Sequence, residues 1–151
     1  MRDSVTVHMA ASPEAVWELV SDVRNTGKFS PETLEAEWLD GASRPAVGAK
    51  FRGHVKRNGR GPMYWTVCEV TACERGKSFG FNVLTGGKPI NTWLYEFAAA
   101  GGGVDVTESF ALVDRPATAI YKLLFGKIRT RTNHRNMLAT LERIKAVAEK
   151  G

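Results

Sequence analysis

The sequence predicts an α+β protein: a curved antiparallel sheet of about seven strands, wrapped around one long C-terminal helix, with two short helices after the first strand. Three observations predict it. The segment from Arg115 to Lys150 places Ile120, Leu123, Leu124, Ile128, Leu138, Leu141, Ile144 and Ala148 at helical spacing. Nearly everything between Ala49 and Val113 alternates instead, as strands do. Turn signals at Asn58-Gly59, Thr85-Gly86-Gly87 and Gly101-Gly102-Gly103 cut that stretch into hairpins, because tight hairpin turns need positive φ.

In chain order, Ser4 to Ala10 sets Val5, Val7 and Met9 against Ser4, Thr6 and His8, a half-buried strand. Ser12 is a suitable N-cap, Pro13 fits the first helical position, and Glu14 complements the helix dipole, so a helix follows with Val16, Leu19 and Val20 inward. Asn25, Gly27 and Pro31 break what comes next into a short helix and an elbow holding Phe29, which either plugs the core or lips a pocket. Leu34, Ala36 and Trp38 alternate with Glu35 and Glu37, and DGASRPAVG forms the turn after them. Lys50 to Arg57 sets Phe51 and Val55 against Arg52, His54 and Lys56. Met63 to Ala72 follows, with Met63, Trp65 and Val67 on one face. Then come Phe79, Phe81 and Val83; Trp93, Tyr95 and Phe97; and finally Val104, Val106, Glu108, Phe110 and Leu112. One domain spanning residues 1–151 accommodates all of this.

Composition excludes several classes. The hydrophobic fraction of 43% and charged fraction of 25% describe a globular chain, not a disordered one. The first residues show no apolar leader, and no segment reaches the roughly 18 uninterrupted apolar residues of a membrane span, so a cytoplasmic location is expected. Cys68 and Cys73, the two cysteines, stand an odd number apart, which places them on opposite faces of a regular strand as reduced, packed thiols. His8, His54 and His134 are scattered, and no metal motif, nucleotide-binding loop or covalent nucleophile motif is present. No metal or cofactor is expected. The net charge of +5 makes Arg52, Lys56, Arg57, Lys122, Lys127 and Arg129 a candidate basic surface for nucleic acid or an anionic membrane. This class, nucleic acid or membrane, ranks last, because the aromatics that base stacking requires are committed to the inner face.

The order of strand, broken helix pair, meander and long helix resembles the helix-grip fold of the START-like superfamily. SPEAVWELVSDVRNTGKFSPE, NTWLYEF, GGGVDVTESF and NMLATLERIKAVAE further resemble the polyketide cyclase/dehydrase-like (SRPBCC) family across essentially the whole chain. That resemblance implies an elongated cavity between sheet and helix, suited to an apolar or aromatic, lipid- or polyketide-like small molecule. The alternative it implies is a cofactor-independent cyclase, aromatase or dehydratase.

The expected lining is Phe29, Trp38, Phe51, Trp65, Phe81, Trp93, Tyr95 and Phe110 from the elbow and sheet, with Leu124, Arg131, His134 and Leu138 from the helix. Alternation puts the Glu108 carboxylate among apolar neighbours, where it acts as ligand anchor, acid/base group or structural hydrogen-bonder, unless a bulge turns it outward. On the helix, Thr130, Arg131 and His134 interrupt the apolar stripe. A polar ligand head or a Glu108–Arg131 salt bridge explains the interruption, as does an Arg131 that snorkels to water. His134 is the acid/base candidate because its charge changes near neutral pH.

Overall fold

The computed structural model describes residues 2–56, 63–113 and 116–150. The strands are β1 (Arg2–Met9), β2 (Thr33–Trp38), β3 (Lys50–Lys56), β4 (Met63–Glu74), β5 (Ser78–Thr85), β6 (Lys88–Ala100) and β7 (Gly103–Leu112). They form one curved antiparallel seven-stranded sheet in the order β1-β7-β6-β5-β4-β3-β2. Gly86 and Gly87, with φ of 59° and 79°, close the β5–β6 hairpin in the conformation its tight turn requires. The Asn58-Gly59 turn and Arg57 lie outside the described residues.

Helix α1 (Pro13–Ser21) starts as its sequence dictates, the Ser12 hydroxyl accepting the Ala15 N–H at 3.1 Å. It buries Val16 and Val20, and also Trp17, whose indole N–H donates to the Ser78 carbonyl at 2.7 Å. A 3-10 turn at Val23–Asn25 leads into α2 (Thr26–Phe29), the expected break in two pieces. The long helix α3 (Pro116–Ala148) lies across the sheet and packs chiefly on β1. Met9, Val16, Phe79, Val104 and Val106 meet Met137, Leu141 and Ile144 in the core, where full burial of each such side chain contributes about 1.5–3 kcal/mol.

The structure corrects two strand readings, each through a bulge. Leu34, expected inward with Ala36 and Trp38, is 46% exposed because the β2–β3 register slips between Thr33 and Glu35. In β4 the slip falls between Val70 and Ala72. It brings Cys73 opposite Phe79, while Cys68 stands opposite Val83, so both thiols share the inner face and the odd spacing misleads.

A third correction concerns α3. Ile120, Leu123, Leu124 and Ile128, expected on the buried stripe, are exposed, and Leu138 is 42% exposed. The buried stripe runs through Asn133, Met137, Thr140, Leu141 and Ile144. Stepping back from Ile144 by turns of three and four residues reaches these positions, and Leu138 lies about 100° to one side of Met137.

A candidate ligand cavity

Sheet curvature holds the helix off the inner face, and the gap is a cavity of about 670 Å³. Direct pairing across strands determines which side chains enter it. Phe51, Cys68, Val83 and Asn91 stand in one row, and Phe81, Trp93 and Phe110 in the next. The aromatic walls interlock at their edges: Phe51 and Phe81 meet at 5.0 Å and 77°, and Trp93 and Phe110 at 4.8 Å and 56°. From the other side come Phe29, buried in α2, and Met137, Thr140 and Ile144 of α3.

Two clusters of ionisable side chains interrupt this lining. Glu108 of β7 is 4% exposed and pairs across to Tyr95 of β6, whose hydroxyl donates to Glu108 Oε2 at 2.8 Å. No protein group among the described residues hydrogen-bonds Oε1. Burial pushes the carboxyl up to about 8, the Tyr95 hydrogen bond offsetting part of that rise. Burial, with the neighbouring carboxylate, also holds the Tyr95 phenol well above its ordinary value. At neutral pH the pair is therefore uncharged, a carboxylic acid beside a phenol, able to donate or accept a hydrogen bond deep in an apolar wall.

The second group closes the opposite side. Arg129 of α3 forks onto Glu32, before β2, at 2.9 and 3.3 Å, and the Asn136 amide donates to Glu32 Oε1 at 2.9 Å. All three line the cavity. The clasp ties the helix to the elbow.

Several expected contacts are elsewhere. Arg131 is exposed, and Glu108 is hydrogen-bonded by Tyr95, not by Arg131. His134 points to the surface, its Nδ1 2.8 Å from Asp3 Oδ2 of β1, and Leu124 and Leu138 are exposed. Trp65 touches only the cavity's edge. Its partner in the ladder is the outward-facing His54, on which its ring stacks at 4.5 Å with the Arg52 guanidinium 4.2 Å from the ring centre. Trp38 is half-buried and packs edge-on against Phe51 behind the lining. Of the expected basic surface, Arg52 pairs with Glu37 and Arg129 with Glu32, while Arg57 and the side chains of Lys122 and Lys127 lie outside the described residues. Cys68 lines the cavity, but burial pushes its thiol up to about 12, which removes it as a nucleophile. Among the described residues no group of three or more His, Cys, Asp or Glu could hold a metal ion.

Comparison with known proteins fixes the lineage. The model of the family described as polyketide cyclase / dehydrase and lipid transport matches residues 2–149. The chain belongs to this family. No curated protein matches it in sequence. Among solved structures, a START superfamily protein from Mycobacterium smegmatis superposes with a TM-score of 0.76 at 15% identity, over 99% of this chain and 97% of that one. The di-domain ARO/CYC StfQ from the steffimycin biosynthetic pathway gives 0.76 at 15% identity, over 99% of this chain and 50% of that one. The Polyketide_cyc-like protein Cgl2372 from Corynebacterium glutamicum gives 0.56 at 26% identity, over 97% and 88%. As a polyketide cyclase / dehydrase and lipid transport family member, the chain fits either apolar ligand binding or cyclase activity. No helix among the described residues is long and apolar enough to cross a membrane.

For this family member, sequence reasoning missed Glu32, Arg129, Asn136, Met137 and Thr140. The last three share the helical phase of Leu141 and Ile144, a signal that was available. The Glu32–Arg129 clasp links residues 97 apart and left no local trace.

Proposed function

We propose that the protein binds an apolar or aromatic, lipid- or polyketide-like small molecule in the cavity between sheet and α3, with Glu108 and Tyr95 meeting a polar atom of the ligand. One observation carries this reading: an aromatic-walled cavity of about 670 Å³ lined by a buried carboxyl, Glu108, with one oxygen lacking a partner among the described residues. A buried carboxyl oxygen of that kind is costly unless something hydrogen-bonds it. A ligand carbonyl or hydroxyl does so without introducing charge.

A second reading, cofactor-independent cyclisation or dehydration, draws on the same group, because a carboxyl held neutral near pH 7 is a proton donor. Catalysis of this kind also needs a base on the wall. His134 faces Asp3 at the surface, and the Glu32 oxygens already accept from Arg129 and Asn136. Binding is therefore the better supported activity.

The test is titration with a fluorescent apolar probe, in wild type and in Thr66→Phe and Val83→Phe, which fill the cavity from two half-buried wall positions. At least tenfold weaker binding in both variants, with cooperative melting retained, is expected, a difference of about 1.4 kcal/mol or more. Unchanged titration in both refutes the site.

A further inference from the structure

The first half of α3 carries apolar side chains that the fold leaves uncovered. Ile120, Leu123, Leu124 and Ile128 are 65%, 85%, 63% and 70% exposed. At about 100° per residue they fall within an arc of about 140°, so they form one patch over adjoining turns. Single exposed leucines need no explanation; four on one stripe do.

Charge indicates what covers them. From Pro116 to Leu141 the helix contains Lys122, Lys127, Arg129, Arg131 and Arg135, and no Asp or Glu. Arg129 belongs to the Glu32 clasp, while Arg131 and Arg135 are exposed. A second copy docking through this stripe brings cations against cations, whereas an anionic surface is complementary. An apolar stripe continued on the same exposed face by Arg131 and Arg135, in a helix half rich in Lys and Arg, is the composition of helices that lie in a lipid interface.

Position gives a third argument. The cavity reaches the ends of the strands nearest the start of α3, at Leu84, Ile90 and Leu112. Tyr64, on the cavity wall, and Met63 beside it are 39% and 51% exposed at the matching end of β4.

We propose that the first half of α3 docks the protein on an anionic lipid bilayer, with Ile120, Leu123, Leu124 and Ile128 in the acyl boundary and Arg131 and Arg135 among the lipid phosphates. A ligand held as proposed above then passes between bilayer and cavity without crossing water; the docking surface itself does not depend on that reading.

Flotation with vesicles tests it. Wild type is expected to float with vesicles of phosphatidylcholine mixed with phosphatidylglycerol, and far less with phosphatidylcholine alone or at high salt. Leu123→Glu/Leu124→Glu and, separately, Arg131→Glu/Arg135→Glu should each lower the bound fraction about tenfold or more. Both should melt as wild type does, because every altered side chain is exposed. Equal binding to neutral and anionic vesicles overturns the proposal, as does retention of binding in either variant. Concentration-dependent dimerisation, abolished by Leu123→Glu/Leu124→Glu, assigns the stripe to a second copy and also overturns it.

Discussion

Replacing Glu108 by Gln should flatten the pH dependence of stability over the neutral range. The folded carboxyl titrates at about 8 and the unfolded one near 4.5. Below pH 4.5 both states hold the proton. Between these values the unfolded chain releases it and the folded chain keeps it, so the unfolded state binds fewer protons and stability falls as pH rises. Above 8 both are ionised and the loss is complete. The slope in that window is on the order of 1 kcal/mol per pH unit, which amounts to roughly 2–3 kcal/mol between pH 5 and pH 7 once partial titration at the lower end is included. For a domain of this size that corresponds to a melting temperature about 5–10 °C lower at pH 7 than at pH 5. Glutamine keeps the shape and a carbonyl to accept the Tyr95 hydroxyl, but cannot ionise. Calorimetric melts of wild type and Glu108→Gln across this range give a difference profile in which the acid-limb effects of Asp22 and Glu149, both lowered by neighbouring cations, cancel. Parallel profiles for the two proteins refute the reasoning, because Glu108 would then titrate alike folded and unfolded.

Further outcomes follow from the same contacts. Asn133→Leu should raise stability by about 1–2 kcal/mol in chemical denaturation, because the buried amide has no partner among the described residues at either polar atom; a loss of stability shows that the amide is satisfied. Gly27→Ala should cost about 3 kcal/mol or more, since its Cβ falls 2.1 Å from the Leu34 carbonyl oxygen and backbone must move; a melt within a degree or two of wild type contradicts this. Cys68 should resist alkylation at pH 8 until the protein is unfolded, with its thiol raised to about 12 and its side chain 3% exposed; rapid labelling detected by mass spectrometry contradicts it.

Much of the fold was legible because it depends on local chemistry. The Ser12 cap, the Gly86-Gly87 turn and the alternation of β5 to β7 identify their elements without reference to distant residues. Glu108 was legible for the same reason, its parity with Val106 and Phe110 surviving intact in a strand without a bulge. Parity failed at Leu34 and Cys73, where one extra residue reverses the face, and no side-chain property marks the slip. The face of α3 failed differently. Ile120, Leu124 and Leu138 are apolar yet uncovered, and weighting them equally with Leu141 and Ile144 rotated the inferred stripe toward Arg131 and His134. Hydrophobicity reports what water disfavours, not which neighbour does the covering.

The strand order carries a consequence for how this chain acquires its shape during synthesis. The meander from β2 to β7 closes through successive hairpins, each joining residues near in sequence. β1 pairs only with β7, Val5 opposite Glu108, and Asp3 reaches His134 across 131 positions of chain. As the polypeptide leaves the ribosome, β1 emerges before the other strands of this sheet and must therefore wait, unpaired, for β7, the last of them. Such distant closure is slow relative to hairpin formation. Until β1 docks, the free edge of β7 stays open to any other extended peptide, so the dangerous interval for aggregation begins when the meander is complete and ends when β1 zips into place.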